Sequence, residues 1–430
     1  MLVHTTQIPF ADLPVPPDDF RLKALAWAGQ FPLVAYYNAN QIPYPYHGFD
    51  HFLAISAGAP IALDQEQVFE SIRHLLQQQE NIWCGYLAYD LKNQVEKLQS
   101  HNRDQVGFPL VMFFEPEAII CFNSSSISIC CKDGKETELI ATIAATPTPA
   151  PAPPHRITMQ QKVTPEAYKA NVEQIRQHIL EGDVYELNYC IEFFAEQVQL
   201  EPLGLFLSLS QASPTPFAGY LKYEDKYLLC ASPERFLKKT GSKLISQPIK
   251  GTIRRGATPK EDAQLQHQLR NDEKELAENM MIMDLVRNDL RKSCATGTVK
   301  VEEMFGIYGF RQVSQMITTV TGELRPACDL ADALKGAFPM GSMTGAPKIK
   351  AMEIIEELET SRRGLFSGAF GYIKPGQDCD FNVVIRSLQY NAGSGYLSFM
   401  VGSAITYDSD PQREYDECLL KAKAMMQVLS

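Results

Sequence analysis

The sequence predicts an α+β fold built on large antiparallel β-sheets. Three observations carry that prediction. Strand-like and helix-like runs do not alternate strictly, as a doubly wound sheet would require. The segment 184–198 alternates with the period of a strand. Several helices carry recognisable start and stop residues. At 430 residues and 45% hydrophobic, the chain has ample apolar material for two or three domain-sized units or one large two-layer fold.

In chain order, 33–37, 119–122 and 126–131 read as short strands, and the stretch around 65–79 reads as a helix. The tract ATIAATPTPAPAPP at 141–154 is too poor in large apolar side chains to pack and reads as extended. We therefore take 141–158 as a linker between an N-terminal part, 1–140, and a C-terminal part, 159–430. The second part opens with a helix: Thr164 is placed to cap it, Pro165 suits its first turn, and Tyr168, Val172, Ile175 and Ile179 recur at helical spacing up to Gly182. In the strand that follows, Tyr185, Leu187, Tyr189, Ile191 and Phe193 share one face, and Glu186, Asn188, Cys190 and Glu192 the other. Further strands are expected at 217–223, 226–231, 368–373, 382–390 and 395–405. Long helices are expected at 260–290, 329–338, 347–359 and 411–429.

Composition excludes some functions. Lys plus Arg is 40 against 51 Asp plus Glu, a net charge of −11, which argues against a general nucleic-acid binder. It leaves room for a small anionic substrate, because a few cations can dominate one cavity. The first residues lack the basic-then-apolar pattern of a secretory leader. The apolar stretch 110–122 is interrupted by Glu115, Pro116 and Glu117 and is too short to span a bilayer. Ten cysteines occur without a CxxC pair, so neither a zinc site nor a disulfide framework is expected. The expectation is a soluble cytoplasmic protein with no membrane or nucleic-acid partner.

Several residues could carry chemistry. Glu275 with Glu278, and Glu414 with Glu417, are spaced i, i+3, which puts each pair on one helix face. Mg²⁺ takes oxygen ligands, often one or two carboxylates with several waters, so two such helices could hold it. An isolated acidic pair is more often a solvated helix face. Lys250, in Pro248-Ile249-Lys250-Gly251-Thr252, is a candidate nucleophile if apolar and backbone surroundings loosen its proton. Glu234, in Ser232-Pro233-Glu234, is a candidate general acid if desolvation raises it. The run from Gly341 to Lys348 superficially suggests a phosphate loop, but its register departs from GxxxxGK[ST] and nucleotide binding is rejected.

Taken together, SPERF at 232–236, PIKGTIRRG at 248–256, DEKELAENMMIMDLVRNDL at 272–290, GSMTGAPKIKAMEIIEELE at 341–359, FSGAFGYI at 366–373 and DPQREYDEC at 410–418 come in a telling order. Over roughly 160–430 the chain resembles the chorismate-utilising enzymes, and among them the aminodeoxychorismate synthase component I family, with anthranilate synthase component I as nearest cousin. The resemblance implies a chorismate-binding fold of two large antiparallel sheets flanked by helices. The first family has PIKGT where the cousins have PIAGT, and Lys250 is present. The resemblance implies that the neutral amine of Lys250 attacks C2 of chorismate while the C4 hydroxyl leaves, protonated by Glu234. Ammonia then adds at C4 and expels the lysine, giving 4-amino-4-deoxychorismate. It further implies Mg²⁺ on Glu278 and Glu417, with Glu275 and Glu414 beside or behind them. Substrate carboxylates would fall to Arg386, Lys421 and the amide of Gly402, with Ser342 and Thr252 also in contact. Arginine suits a carboxylate bidentately.

Three positions depart from the family pattern. Gln315 stands where a histidine is usual and cannot carry a proton. Glu186 stands where isochorismate and salicylate synthases have lysine and the aminating enzymes usually glutamine, which counts against water as nucleophile. Ala404 replaces the second glycine of a GxG carboxylate loop that begins at Gly402. No glutaminase-type cysteine motif occurs, so ammonia is expected from a separate glutamine amidotransferase subunit or free in solution. Asn38, Ala39 and Asn40 lie near a tryptophan-binding motif of relatives but match it poorly, and tryptophan binding is not expected. The alternatives are an anthranilate synthase component I and a non-catalytic chorismate-binding subunit.

Overall fold

The computed structural model describes residues 4–63, 67–77, 80–132, 134–149 and 156–430. Two large sheets form its centre. The larger runs, in spatial order, through His4–Pro9, Ser126–Cys131, Ala118–Phe122, Phe52–Ser56, Leu33–Asn38, Phe217–Tyr223, Lys226–Ser232, Ser387–Asn391, Tyr396–Ile405, Glu186–Ala195 and Gly345–Ala346. The other runs through Ile249–Arg254, Val313–Glu323, Lys243–Gln247, Arg235–Thr240, Cys379–Val383, Ala369–Ile373, Trp83–Leu87, Val111–Phe114 and Ile61–Leu63. The pairings are antiparallel. The expected α+β class of two large antiparallel sheets is what the chain forms. N-terminal strands occupy one end of each sheet and join the C-terminal strands through Leu33–Asn38 beside Phe217–Tyr223 and Trp83–Leu87 beside Ala369–Ile373.

Burial explains the layering. One apolar cluster lies between the larger sheet and helices Pro17–Ala28, Pro165–Glu181, Pro202–Ala212 and Pro411–Leu429. A second joins the other sheet to helices Val68–Leu76, Glu273–Arg291 and Leu330–Ala337. A third, rich in aromatics, fills the space between the sheets, where Tyr37 stacks on Phe370 with centroids 4.7 Å apart. Among the described residues no helix is long and apolar enough to cross a membrane.

Local signals set many boundaries. The Thr164 side chain accepts from the Ala167 amide at 3.2 Å, and Gly182 closes the helix at φ 85°. Four expectations need correction. The stretch 260–290 is two helices, Pro259–Arg270 and Glu273–Arg291, because Asp272 caps the second and its side chain accepts from the amides of Lys274 and Glu275, each at 3.1 Å. The stretch 382–390 is two strands in different sheets, Cys379–Val383 and Ser387–Asn391. The tract at 141–154 is not extended throughout: 141–145 complete the helix Glu136–Ala145, anchored by fully buried Ile143, and the break comes before Pro147. Its residues 150–154 lie outside the described residues, as do 65, 66, 78 and 79 of the helix expected at 65–79, which is observed as Val68–Leu76. Finally, the strand at 184–198 shortens to Glu186–Ala195, and its polar face is not solvated. Glu186, Asn188, Cys190 and Glu192 are all buried, turned towards the second sheet. That polar face is where the candidate site lies.

Candidate active site

Lys250 sits on the edge strand Ile249–Arg254, and its Nζ lies 2.6 Å from Glu186 Oε1 on the larger sheet. Both are buried, Lys250 at 9% exposure and Glu186 at 1%. The apolar setting expected for this lysine is therefore not what the fold provides. Burial by itself pushes the lysine down, but Glu186, then Glu278 and Glu417, outweigh it and hold the ammonium above the ordinary lysine range. Asn279 fixes the strand to helix Glu273–Arg291: its amide donates to Lys250 O at 3.1 Å and its Oδ1 accepts from Thr318 at 2.5 Å. Sequence reasoning passed over Asn279, although a buried polar residue directly after Glu278 in KELAEN was its available signal.

Glu234 is buried, and its Oε1 accepts from Ser342 Oγ at 2.6 Å. Burial pushes its carboxyl up to about 7, against the Ser342 hydrogen bond and the positive charges of Lys250 and Arg386. A carboxylic acid that keeps its proton near neutral pH is a competent proton donor. Ser342, in the short turn Gly341–Met343, thus holds Glu234 in place, and Asn188 Nδ2 in turn donates to Ser342 O at 3.1 Å. The loop can lie this close only because Gly345 has no side chain: its φ is +155°, and a Cβ there would meet Glu186 O at 2.2 Å.

Arg386 stands where the chain crosses from one sheet to the other, in a left-handed conformation at φ +51°. Such a backbone costs on the order of 1–3 kcal/mol in a non-glycine residue and is held by its surroundings. Here those are the two flanking strands. Burial pulls its guanidinium down to about 10, with Glu234 acting the other way. Among the described residues no side-chain hydrogen bond or ion pair satisfies it. An unpartnered guanidinium facing Glu234 is a carboxylate receptor by chemistry.

Lys421 Nζ lies 2.7 Å from Glu417 and donates to Gly402 O at 2.8 Å. Gly402 and Ala404 belong to the regular strand Tyr396–Ile405, as expected for 395–405, opposite Cys190 and Asn188, so the GxG-type segment lies within a strand. The ladder to Glu186–Ala195 continues through it. A Cβ on Gly402 would meet Cys190 Sγ at 2.4 Å, so the position accepts only glycine. Thr252 is exposed and accepts from Gln315 Nε2 at 3.4 Å, leaving the buried Gln315 Oε1 unpartnered.

The two acidic helices do approach each other. Lys274 Nζ lies 3.6 Å from both Glu278 Oε1 and Glu414 Oε1. Burial raises Glu278 to about 7, and burial followed by the Glu417 charge raises Glu275, whereas Lys421 lowers Glu417. Glu414 is buried with Oε2 unpartnered. This is a donor set of hard oxygens with excess negative charge, which fits a divalent cation of the Mg²⁺ kind. A tighter cluster of ligand atoms, His178, Glu181 and Asp183 within 4.8 Å of one another, lies apart at the surface. Asn38 and Asn40 are engaged in a turn, with Asn38 Oδ1 accepting from the Asn40 amide at 2.7 Å and Asn40 Nδ2 donating to Thr215 O at 2.9 Å.

Lys250, Glu234, Arg386 and the two acidic helices come together between the sheets, an arrangement of buried charges suited to a small anionic substrate. The chain belongs to the chorismate binding enzyme family, whose model matches residues 33–427. It is 35% identical to anthranilate synthase component 1 of Thermus thermophilus over 356 residues, 80% of this chain and 76% of that one. It is 32% identical to aminodeoxychorismate synthase component 1 of Bacillus subtilis over 360 residues, again 80% and 76%. Among solved structures, anthranilate synthase component I of Streptococcus pneumoniae superposes with a TM-score of 0.76 at 25% identity, covering 99% of this chain and 92% of that one. The menaquinone-specific isochorismate synthase of Escherichia coli shares the fold with a TM-score of 0.80 at 17% identity, covering 99% and 94%.

Proposed function

We propose that the protein catalyses the Mg²⁺-dependent amination of chorismate to 4-amino-4-deoxychorismate. Ammonia is supplied by a separate glutamine amidotransferase subunit or taken free. The observation that carries this reading is Lys250 itself, a buried amine presented from PIKGT beside Glu186 and within the field of Glu234. Its nitrogen bonds to C2 as Glu234 gives its proton to the departing C4 hydroxyl, and the covalent step directs incoming nitrogen to C4. Arg386 and Lys421 bind and orient substrate carboxylates. Glu278 and Glu417 would hold Mg²⁺, with Glu275 and Glu414 behind them. When bound, the ion supplies positive charge that makes an acidic cleft hospitable to a dianion.

The test is a product assay with purified protein, chorismate, magnesium and ammonium salt, with and without an aminodeoxychorismate lyase. p-Aminobenzoate formed only with the lyase is the expected result. A second reading, anthranilate synthase component I, is favoured by relatives of that name at comparable identity. Anthranilate formed without the lyase would establish it. Tight chorismate binding with no turnover would indicate a non-catalytic binding subunit.

A further inference from the structure

Lys250 and Glu186 form the tightest charged contact of the cleft, 2.6 Å between groups 64 residues apart. An amine fully engaged as an ammonium has no lone pair with which to attack carbon, so this pair poses a chemical problem for any covalent role of the lysine. The same geometry contains the answer. Glu186 Oε1 already lies on the proton of Lys250, while Oε2 is buried with no partner. Apart from Lys250, nothing donates to this carboxylate among the described residues. It is open to receive a proton.

We propose that Glu186 is the proton acceptor that activates Lys250, an assignment that rests on the amination reading above. One ammonium proton passes to Glu186 as the Lys250 nitrogen forms its bond to C2. The C4–O bond breaks, and Glu234 donates the proton that lets the oxygen leave as water. Ammonia then bonds to C4 as the C2–N bond breaks, and Lys250 leaves as a neutral amine and recovers its proton from Glu186. The new C4 ammonium gives its extra proton to Glu234, which restores both carboxyls to their starting states. Other charges face the pair. They are Glu275 and Glu278 from helix Glu273–Arg291, Glu417 and Lys421 from helix Pro411–Leu429, and Glu234 from the turn before Arg235–Thr240. None of these lies within ion-pair distance of Lys250 Nζ, whereas Glu186 does.

The pair, acting as a unit, moves its proton internally, so its contribution to the rate is independent of bulk pH. Glu186→Gln keeps the shape and a hydrogen-bond acceptor but cannot take a proton. The variant's lysine must then lose its proton to solvent. At pH 6.5 the amination rate of the variant should be lower by about 100-fold or more, within the usual range for proton transfer by a positioned group. The deficit should narrow by about tenfold per pH unit as pH rises, and Glu186→Asp should recover part of the rate. A constant deficit across pH, or no deficit, overturns the assignment, because a packing role alone would not track pH.

A second measurement needs no turnover. With magnesium saturating in both proteins, acetylation of Lys250 by acetic anhydride is followed across pH by peptide mass spectrometry. Lys250 of the Gln variant should react at least about tenfold more slowly at pH 6.5, with the gap closing as pH rises, since its proton must pass to solvent and not to Glu186. Equal reactivity in the two proteins overturns the pairing of proton and carboxylate. If the native protein forms no aminated product, the amination reading fails, and the acetylation comparison alone then decides whether Glu186 takes the lysine's proton.

Discussion

Two buried ion pairs, one within the second sheet and one between the two sheets, show what separates a structural charge from a reactive one. Arg235 and Asp380 are exposed by 0% and 2%, and their contacts leave nothing over. Arg235 binds Asp380 through two bonds of 2.8 and 2.9 Å, donates to Gln247 and to the carbonyls of Pro45 and His47, and lies over the Phe217 ring. Lys250 and Glu186 are also buried but make one hydrogen bond to each other, and a carboxylate oxygen remains unpartnered. A saturated pair staples the 45–47 loop to the sheet. An unsaturated pair keeps hydrogen-bonding capacity for a substrate or a proton.

That contrast breaks most sharply with Lys250→Ala. Activity should fall on the order of 10⁴–10⁶-fold, as when other enzymes lose a nucleophile. Residual nitrogen should appear at C2, read as anthranilate by chromatography. Unchanged product and rate would show that the pair is merely structural. Arg235→Ala should do the reverse, costing about 3–5 kcal/mol of stability in urea unfolding because it strips a buried charge and several carbonyls of their partner. A change below about 1 kcal/mol would remove the distinction.

Glu234→Gln should lower kcat/KM by about 10²–10⁴-fold. In the native protein the acid form dominates below about 7, so a rate that needs its proton falls as pH rises through that value. The Gln variant should lack that limb of the profile. The smallest effect belongs to Ser342→Ala, which removes one hydrogen bond of net worth about 1 kcal/mol. That bond lowers Glu234, so its loss should move the alkaline limb to higher pH, measurable as a shifted midpoint in the pH–rate curve.

Much of the chemistry was legible because its signals are local. The i, i+3 carboxylates, the Thr164 cap and the run PIKGT each depend on neighbours within a few residues. Two segments show the limit of such signals. The run 382–390 has continuous strand character, yet a left-handed Arg386 divides it between two sheets. The alternation at 184–198 correctly separated two faces but could not say that the polar one would be buried. Periodicity records that faces differ and does not record what covers each one.

By itself, the sequence determined the α+β class, the capped helices, the order of the family motifs and the residue types available for catalysis. These follow from backbone propensity and short-range spacing. Only the tertiary structure decided that Lys250 meets Glu186, that Lys274 stands between Glu278 and Glu414, and that Arg386 is left unpartnered. Each of those depends on how strands and helices far apart in the chain are packed together, where charge and desolvation are set by what the fold brings together.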